Sequence, residues 1–159
     1  MGHFLFSIQV SKEMIKLDGD KHIINISAYS GGKAYPGLSH MHACKAGLNA
    51  LTKTLAIEWS KFNILVNAIS PGPVLTSNFV HAHTRLRRLQ KKNVKEVIDD
   101  YKNKELPLKR YILEEDIANM AIYLCTPAAK NLTGQIISID GGDSINNSYL
   151  LHQLQGFPK

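Results

Sequence analysis

The stretch Asn63-Ile64-Leu65-Val66-Asn67-Ala68-Ile69-Ser70-Pro71-Gly72-Pro73-Val74 decides the fold of this chain. Ile64 to Ile69 is short, largely apolar and without the strict alternation of a half-exposed strand. It predicts a strand covered on both faces. The run ends at Ser70-Pro71-Gly72-Pro73, where two prolines, each with a fixed φ and no N–H, forbid continuation. His22-Ile23-Ile24-Asn25-Ile26 and Gln135 to Ile139 read the same way, and the second is closed by Asp140-Gly141-Gly142.

Helical periodicity fills the intervals. Residues 3–17 carry apolar Phe4, Leu5, Ile8, Val10 and Ile15 against polar Lys12, Glu13 and Lys16, and Leu17-Asp18-Gly19-Asp20 stops them. Residues 39–60 form the strongest helical pattern: Cys44, Leu48, Leu51 and Leu55 line one face, and Ala43, Ala46, Gly47 and Ala50 are small enough for close approach. A loop with Gly31, Gly32, Pro36 and Gly37 precedes that helix. Residues 75–108 are polar, basic and helical in parts. Glu114-Glu115-Asp116 places negative charge on the first turn of a further helix, whose buried face is Ile117, Met120, Ala121 and Leu124, with Pro127 beyond its end. Strands separated by helices imply an α/β fold: a parallel sheet of three strands with right-handed crossovers and flanking helices. With no linker or repeat in view, residues 1–142 read as a single domain and 143–159 as a C-terminal tail.

Composition bounds the function. The chain has 159 residues, 44% hydrophobic and 20% charged, which excludes a disordered or fibrous protein. No apolar run approaches the ~20 residues of a membrane-spanning helix. Two cysteines cannot make a disulfide framework or a cysteine zinc site, and their scarcity suits a cytoplasmic or other reducing compartment. The apolar Phe4-Leu5-Phe6 start lacks the flanks of a signal peptide, and Phe6 stands where a myristoylation signal needs Ser or Thr. His40 and His42, like His81 and His83, are two apart and do not share a helix face, so no metal site is expected. A net charge of +6 favours anionic partners.

Several blocks in order carry a family resemblance. They are Ile23-Ile24-Asn25-Ile26-Ser27-Ala28, Lys45-Ala46-Gly47-Leu48, Leu55-Ala56-Ile57-Glu58-Trp59, the Asn63 to Val74 stretch with Thr76, and Leu132-Thr133-Gly134-Gln135-Ile136-Ile137-Ser138-Ile139-Asp140-Gly141-Gly142. Together they resemble the C-terminal half of a short-chain dehydrogenase/reductase. The resemblance implies the later part of a Rossmann-type sheet. No G-x-G-x-x-G occurs here, so it also implies that the N-terminal half with the glycine-rich phosphate turn is missing.

The resemblance also assigns residues. Lys45 matches the family lysine that binds the nicotinamide ribose, while Pro71, Gly72 and Val74 match the backbone that holds the nicotinamide amide and Thr76 the residue that meets the phosphates. The family's tyrosine acid, four residues before the lysine, falls at Met41, and its serine at Ala28. A thioether cannot donate a proton. This double departure resembles the 2,4-dienoyl-CoA reductase branch, as does His40, five residues before Lys45. Tyr29 lies one position from the tyrosine of that branch's mitochondrial type. The catalytic candidates are therefore Lys45, His40, Tyr29 and Ser27. The implied activity is NADP-linked reduction of an enoyl- or dienoyl-CoA thioester. A 3-oxoacyl reductase is the alternative that Met41 disfavours, and an inactive, self-associating or interacting module is the other. The implied partners are an acyl-CoA substrate and a second copy met through residues 3–17 and 39–60, with no membrane. The basic run Arg85 to Lys92 reads as a solvated helix face or as a lid meeting coenzyme A phosphates. It has no interleaved aromatics to stack on bases, so no nucleic acid is expected.

Overall fold

A computed structural model describes residues 2–31, 37–80 and 93–146. Met1, residues 32–36, 81–92 and 147–159 lie outside the described residues, and with them Gly32, Pro36, the His81/His83 pair, the basic run at 85–92 and most of the tail.

Three parallel strands, β1 (Lys21–Ile26), β2 (Ile64–Pro71) and β3 (Ile136–Ile139), stand in the order β1-β2-β3. The register pairs Ile23 with Val66, Ile26 with Ile69, and Pro71 with Ile139. All of β2 is buried, as its largely apolar run without alternation predicts. The other elements are α1 (Gly2–Met14), α2 (Ser39–Trp59), α3 (Val94–Glu105) and α4 (Glu114–Leu124). Residues 77–80 are also helical, and one-turn 3₁₀ segments occur at Tyr29–Gly31 and Asp143–Ile145.

The alternation of strand side chains divides the core into two layers. Ile23, Ile64 and Val66 pack with Leu55, Ala56 and Trp59 of α2 and with Ile8 and Met14 of α1. Ile24 and Ile69 pack on the opposite face with Ile117, Met120, Ala121 and Leu124 of α4. Buried Asn67 fixes the approach to β3. Its amide donates to Leu132 O at 2.7 Å, and its side-chain oxygen accepts from Gln135 N at 3.0 Å. The acidic turn of α4 caps itself, with Asp116 Oδ2 accepting from Leu113 N at 2.8 Å.

Two expectations need correction. In α1 Ile8 packs on the core as expected, but the fully buried residues are Ser7 and Ser11, whereas Phe4, Leu5 and Ile15 are exposed and the helix ends at Met14. Small polar residues let α1 lie close beside β1, and Ser11 Oγ satisfies itself on Ile8 O at 2.9 Å. In α2, Leu48 and Leu55 are buried but Cys44 is exposed. The stripe that packs is instead the polar one, with Lys45, one position on, tied to Ile26 O at 3.0 Å. Nothing lies within 4 Å of a side chain added at Gly47. No helix among the described residues is long and apolar enough to cross a membrane.

Candidate functional site

The carboxyl ends of parallel strands are where α/β sheets take ligands, because the chain leaves the sheet there and opens a crevice. Here that end is built by a polar ladder between β1 and α2. Asn25 and Ser27 alternate to the α2 side, and Lys45, Asn49 and Thr52 present one helix stripe at spacings of four and three. Asn25 donates to Thr52 Oγ1 at 3.0 Å, and Thr52 in turn donates to Leu48 O at 2.9 Å. Ser27 Oγ donates to Asn49 Oδ1 at 2.6 Å. Lys45 Nζ donates to Ile26 O, the last carbonyl of β1, at 3.0 Å.

The ladder brings Ser27 and Lys45 together through the Asn49 turn. The Lys45 ammonium has three donors and, among the described residues, spends one on protein, so two remain for a ligand. Gly31 fits the same ladder from outside. A Cβ there would lie 2.6 Å from Asn49 Nδ2 and 3.3 Å from the Lys45 backbone, so a side chain at this position would have to displace the Asn49 amide.

At the end of β2 the backbone is differently committed. Gly72 N donates to Ile139 O at 2.8 Å, and a Cβ at Gly72 would stand 2.6 Å from Asp140 Cα. Close packing of β2 on β3 therefore explains this glycine. Val74 bridges Ile112, with Ile112 N donating to Pro73 O and Leu75 N to Ile112 O. That parallel pattern leaves the Val74 N–H without a backbone partner among the described residues, aimed away from the bridge. Thr76 Oγ1 accepts from Phe79 N at 3.2 Å, which caps the helical turn at 77–80. His40 is exposed on the first turn of α2, and its side chain makes no hydrogen bond among the described residues.

Tyr29 meets partners that the sequence does not announce. Its phenol hydrogen-bonds Tyr101 of α3. Tyr101 stacks on Tyr111 at 6.4 Å, and Phe79 stands edge-on to both rings at 5.8 and 5.2 Å. Tyr111 Oη donates to Ile98 O at 2.7 Å and ties α3 down. Burial first, then the charges of Tyr29 and Asp143, raise the Tyr101 phenol above its ordinary value. Asp143 itself is buried, 2% exposed. No group of three or more His, Cys, Asp or Glu among the described residues is placed to hold a metal. An open groove of about 1250 Å³ on the α4 side, lined by Leu75, Arg110, Tyr111, Asn119, Ser138 and Asp140 among others, contains none of Ser27, Tyr29 or Lys45.

Asn49 and Thr52 were within reach of the sequence, since their helical spacing from Lys45 matches the strand alternation of Asn25 and Ser27. Tyr101 and Asp143 had no local signal.

Comparison with known proteins completes the description. Residues 2–144 match the family model described as Enoyl-(Acyl carrier protein) reductase. A tropinone reductase homolog of Datura stramonium is 34% identical over 138 residues, covering 87% of this chain and 49% of that protein. The crystal structure of a short chain dehydrogenase from Bacillus anthracis superposes with a TM-score of 0.72 at 35% identity, over 92% of this chain and 52% of that one. A 4-hydroxyisoleucine dehydrogenase complexed with NADH gives 0.73 at 29% identity, over 91% of this chain and 55% of its own. The chain spans about half the length of the curated relatives it matches.

Proposed function

Because this chain belongs to the short-chain dehydrogenase/reductase family, we propose that it forms the nicotinamide end of a reductase that, in the complete protein, reduces an enoyl- or dienoyl-CoA thioester with NADP as coenzyme. The observation that carries this reading is the Lys45 ammonium at the carboxyl end of the sheet, held by Ile26 O, with Met41 one helical turn before it. Reduction of a ketone leaves an alkoxide that needs an acid at that turn, and a thioether supplies none. Hydride addition to a conjugated thioester leaves an enolate instead, which needs a nearby positive charge and a proton from another group.

The residues present fit the nicotinamide-ribose end. Lys45 offers two ammonium donors to the ribose hydroxyls, and the Val74 N–H is open to the carboxamide. Pro71 and Gly72 shape the floor beneath, and the Thr76 hydroxyl keeps its proton to donate to a phosphate. Ser27 holds Asn49 and so the turn carrying Lys45. His40 stands at the mouth. Bound nicotinamide supplies the hydride, and Tyr29 supplies the proton. The +6 charge suits both a phosphorylated coenzyme and an acyl-CoA. The short-chain dehydrogenase fold of residues 1–142 is one unit in this reading, with 143–159 its tail.

The test is fluorescence titration with NADPH at about 1 mM protein and coenzyme, where a complex of only ~4 kcal/mol still forms. Saturable binding that Lys45→Ala weakens is expected. No binding would end this reading for the chain. A second reading, a self-associating module, draws on the exposed Phe4, Leu5 and Phe6 of α1.

A further inference from the structure

We propose that Asn49 of α2 is a positioning residue that clamps the segment carrying Tyr29 against the turn carrying Lys45, and so sets where the proton donor stands relative to the ammonium. This rests on the reductase reading above and deepens it.

Asn49 meets the chain on both sides of Tyr29. Two residues before Tyr29, Ser27 Oγ donates to Asn49 Oδ1 at 2.6 Å. Two residues after it, Gly31 lies so close that a Cβ there would stand 2.6 Å from Asn49 Nδ2. One side chain thus offers an acceptor to Ser27 and a flat amide against which Gly31, lacking a side chain, can close. The segment between is a single 3₁₀ turn, Tyr29–Gly31, with Gly31 N donating to Ala28 O at 2.8 Å. One such bond does not by itself offset the entropy of ordering three residues, so contacts outside the turn decide where it stands.

The two anchors of the clamp are firm. Ser27 is 3% exposed, and its N–H donates to Ile69 O at 2.8 Å, which fixes it on the sheet. Asn49 lies inside the 21-residue α2, one turn after Lys45 on the same stripe. Ser27 Oγ also lies 3.5 Å from Lys45 O, so the hydroxyl faces the turn that bears the ammonium. The ammonium itself is held separately, by Ile26 O at 3.0 Å. Loss of the Asn49 amide therefore releases the Tyr29 side of the site and leaves Lys45 tied. The expected deficit falls on the proton step and spares coenzyme binding.

The experiment labels the full chain with ¹⁵N-glycine and follows amide hydrogen exchange by NMR. Gly31, Gly72 and Gly134 donate backbone hydrogen bonds to Ala28 O, Ile139 O and Val66 O, so one spectrum reports the clamp and two points on the sheet. The Gly31 resonance is assigned by its loss in Gly31→Ala. Asn49→Ala should speed exchange at Gly31 by about tenfold, the worth of one hydrogen bond, and leave Gly72 and Gly134 unchanged. Ser27→Ala removes the other half of the same contact. It should reproduce the effect, and the double variant should add nothing to either single one. An unmoved Gly31 overturns the proposal, as does an additive double variant. Equal acceleration at all three glycines marks a general loss of stability and overturns it too. The exchange measurement stands apart from turnover. A response confined to Gly31 in a chain that binds no coenzyme supports the clamp and removes the reductase reading. In an active protein, Asn49→Ala should lower kcat by about a hundredfold, the cost of a ~1 Å misplacement, with the KM for coenzyme unchanged. An unchanged kcat overturns the proposal.

Discussion

Gly72→Ala tests the packing that shapes the crevice. The new methyl carbon would stand 2.6 Å from Asp140 Cα and 2.7 Å from its Cβ, whereas non-bonded carbons rest about 3.5–4.0 Å apart. The ends of β2 and β3 must therefore part by about 1 Å. Backbone meets backbone here, so no flexible side-chain tip can yield. The opening falls on the bond from Gly72 N to Ile139 O, 2.8 Å long, and at about 3.8 Å that contact is no longer a hydrogen bond. Overpacking costs about 1–3 kcal/mol and the lost bond about 0.5–1.5 kcal/mol, so the sum is about 1.5–4.5 kcal/mol. With a urea slope of about 2 kcal/mol per M, the midpoint falls by about 1–2 M. Trp59, the one tryptophan and 7% exposed, reports the transition by fluorescence. Gly47→Ala is the control: with open space around it inside α2, it should gain about 0.5–1 kcal/mol. A Gly72→Ala midpoint equal to the parent's would refute the reasoning.

Two further outcomes concern Tyr111 and the exposed face of α1. Burial and then the charge of Asp99 push the Tyr111 phenol up to about 12 from its ordinary 10.0. The folded state thus holds this proton more tightly than the unfolded chain. The resulting stability is full below pH 10.0 and is lost as pH rises toward about 12. Tyr111→Phe should flatten that part of the alkaline stability profile measured by Trp59 fluorescence, and an unchanged profile would count against the assignment. The apolar residues exposed on α1, with Phe6 72% exposed, should drive self-association that sedimentation detects and Phe6→Glu weakens. A single monomer boundary for the parent at all concentrations would contradict this.

Much of the fold was legible in residue order because its signals are local. The largely apolar run at 64–69, without alternation and ending in Pro71 and Pro73, reads as a two-sided buried strand, and the spacing of Leu48 and Leu55 reads as one core-facing side of a helix. The acidic start of α4 and the family blocks around Lys45 and Gly72 were equally local. Tertiary structure decided what stands across from each face. Periodicity marks a stripe without naming its neighbour, so Phe4 and Leu5 read as inward when Ser7 and Ser11, small enough for close approach, are buried beside Ile8. It also decided why position 72 is glycine, since the clash partner Asp140 is remote in sequence. Likewise Tyr101 meets Tyr111 and Phe79, both remote from it in sequence. Local sequence sets backbone preference and polarity, but distance between remote side chains exists only once the chain has closed on itself.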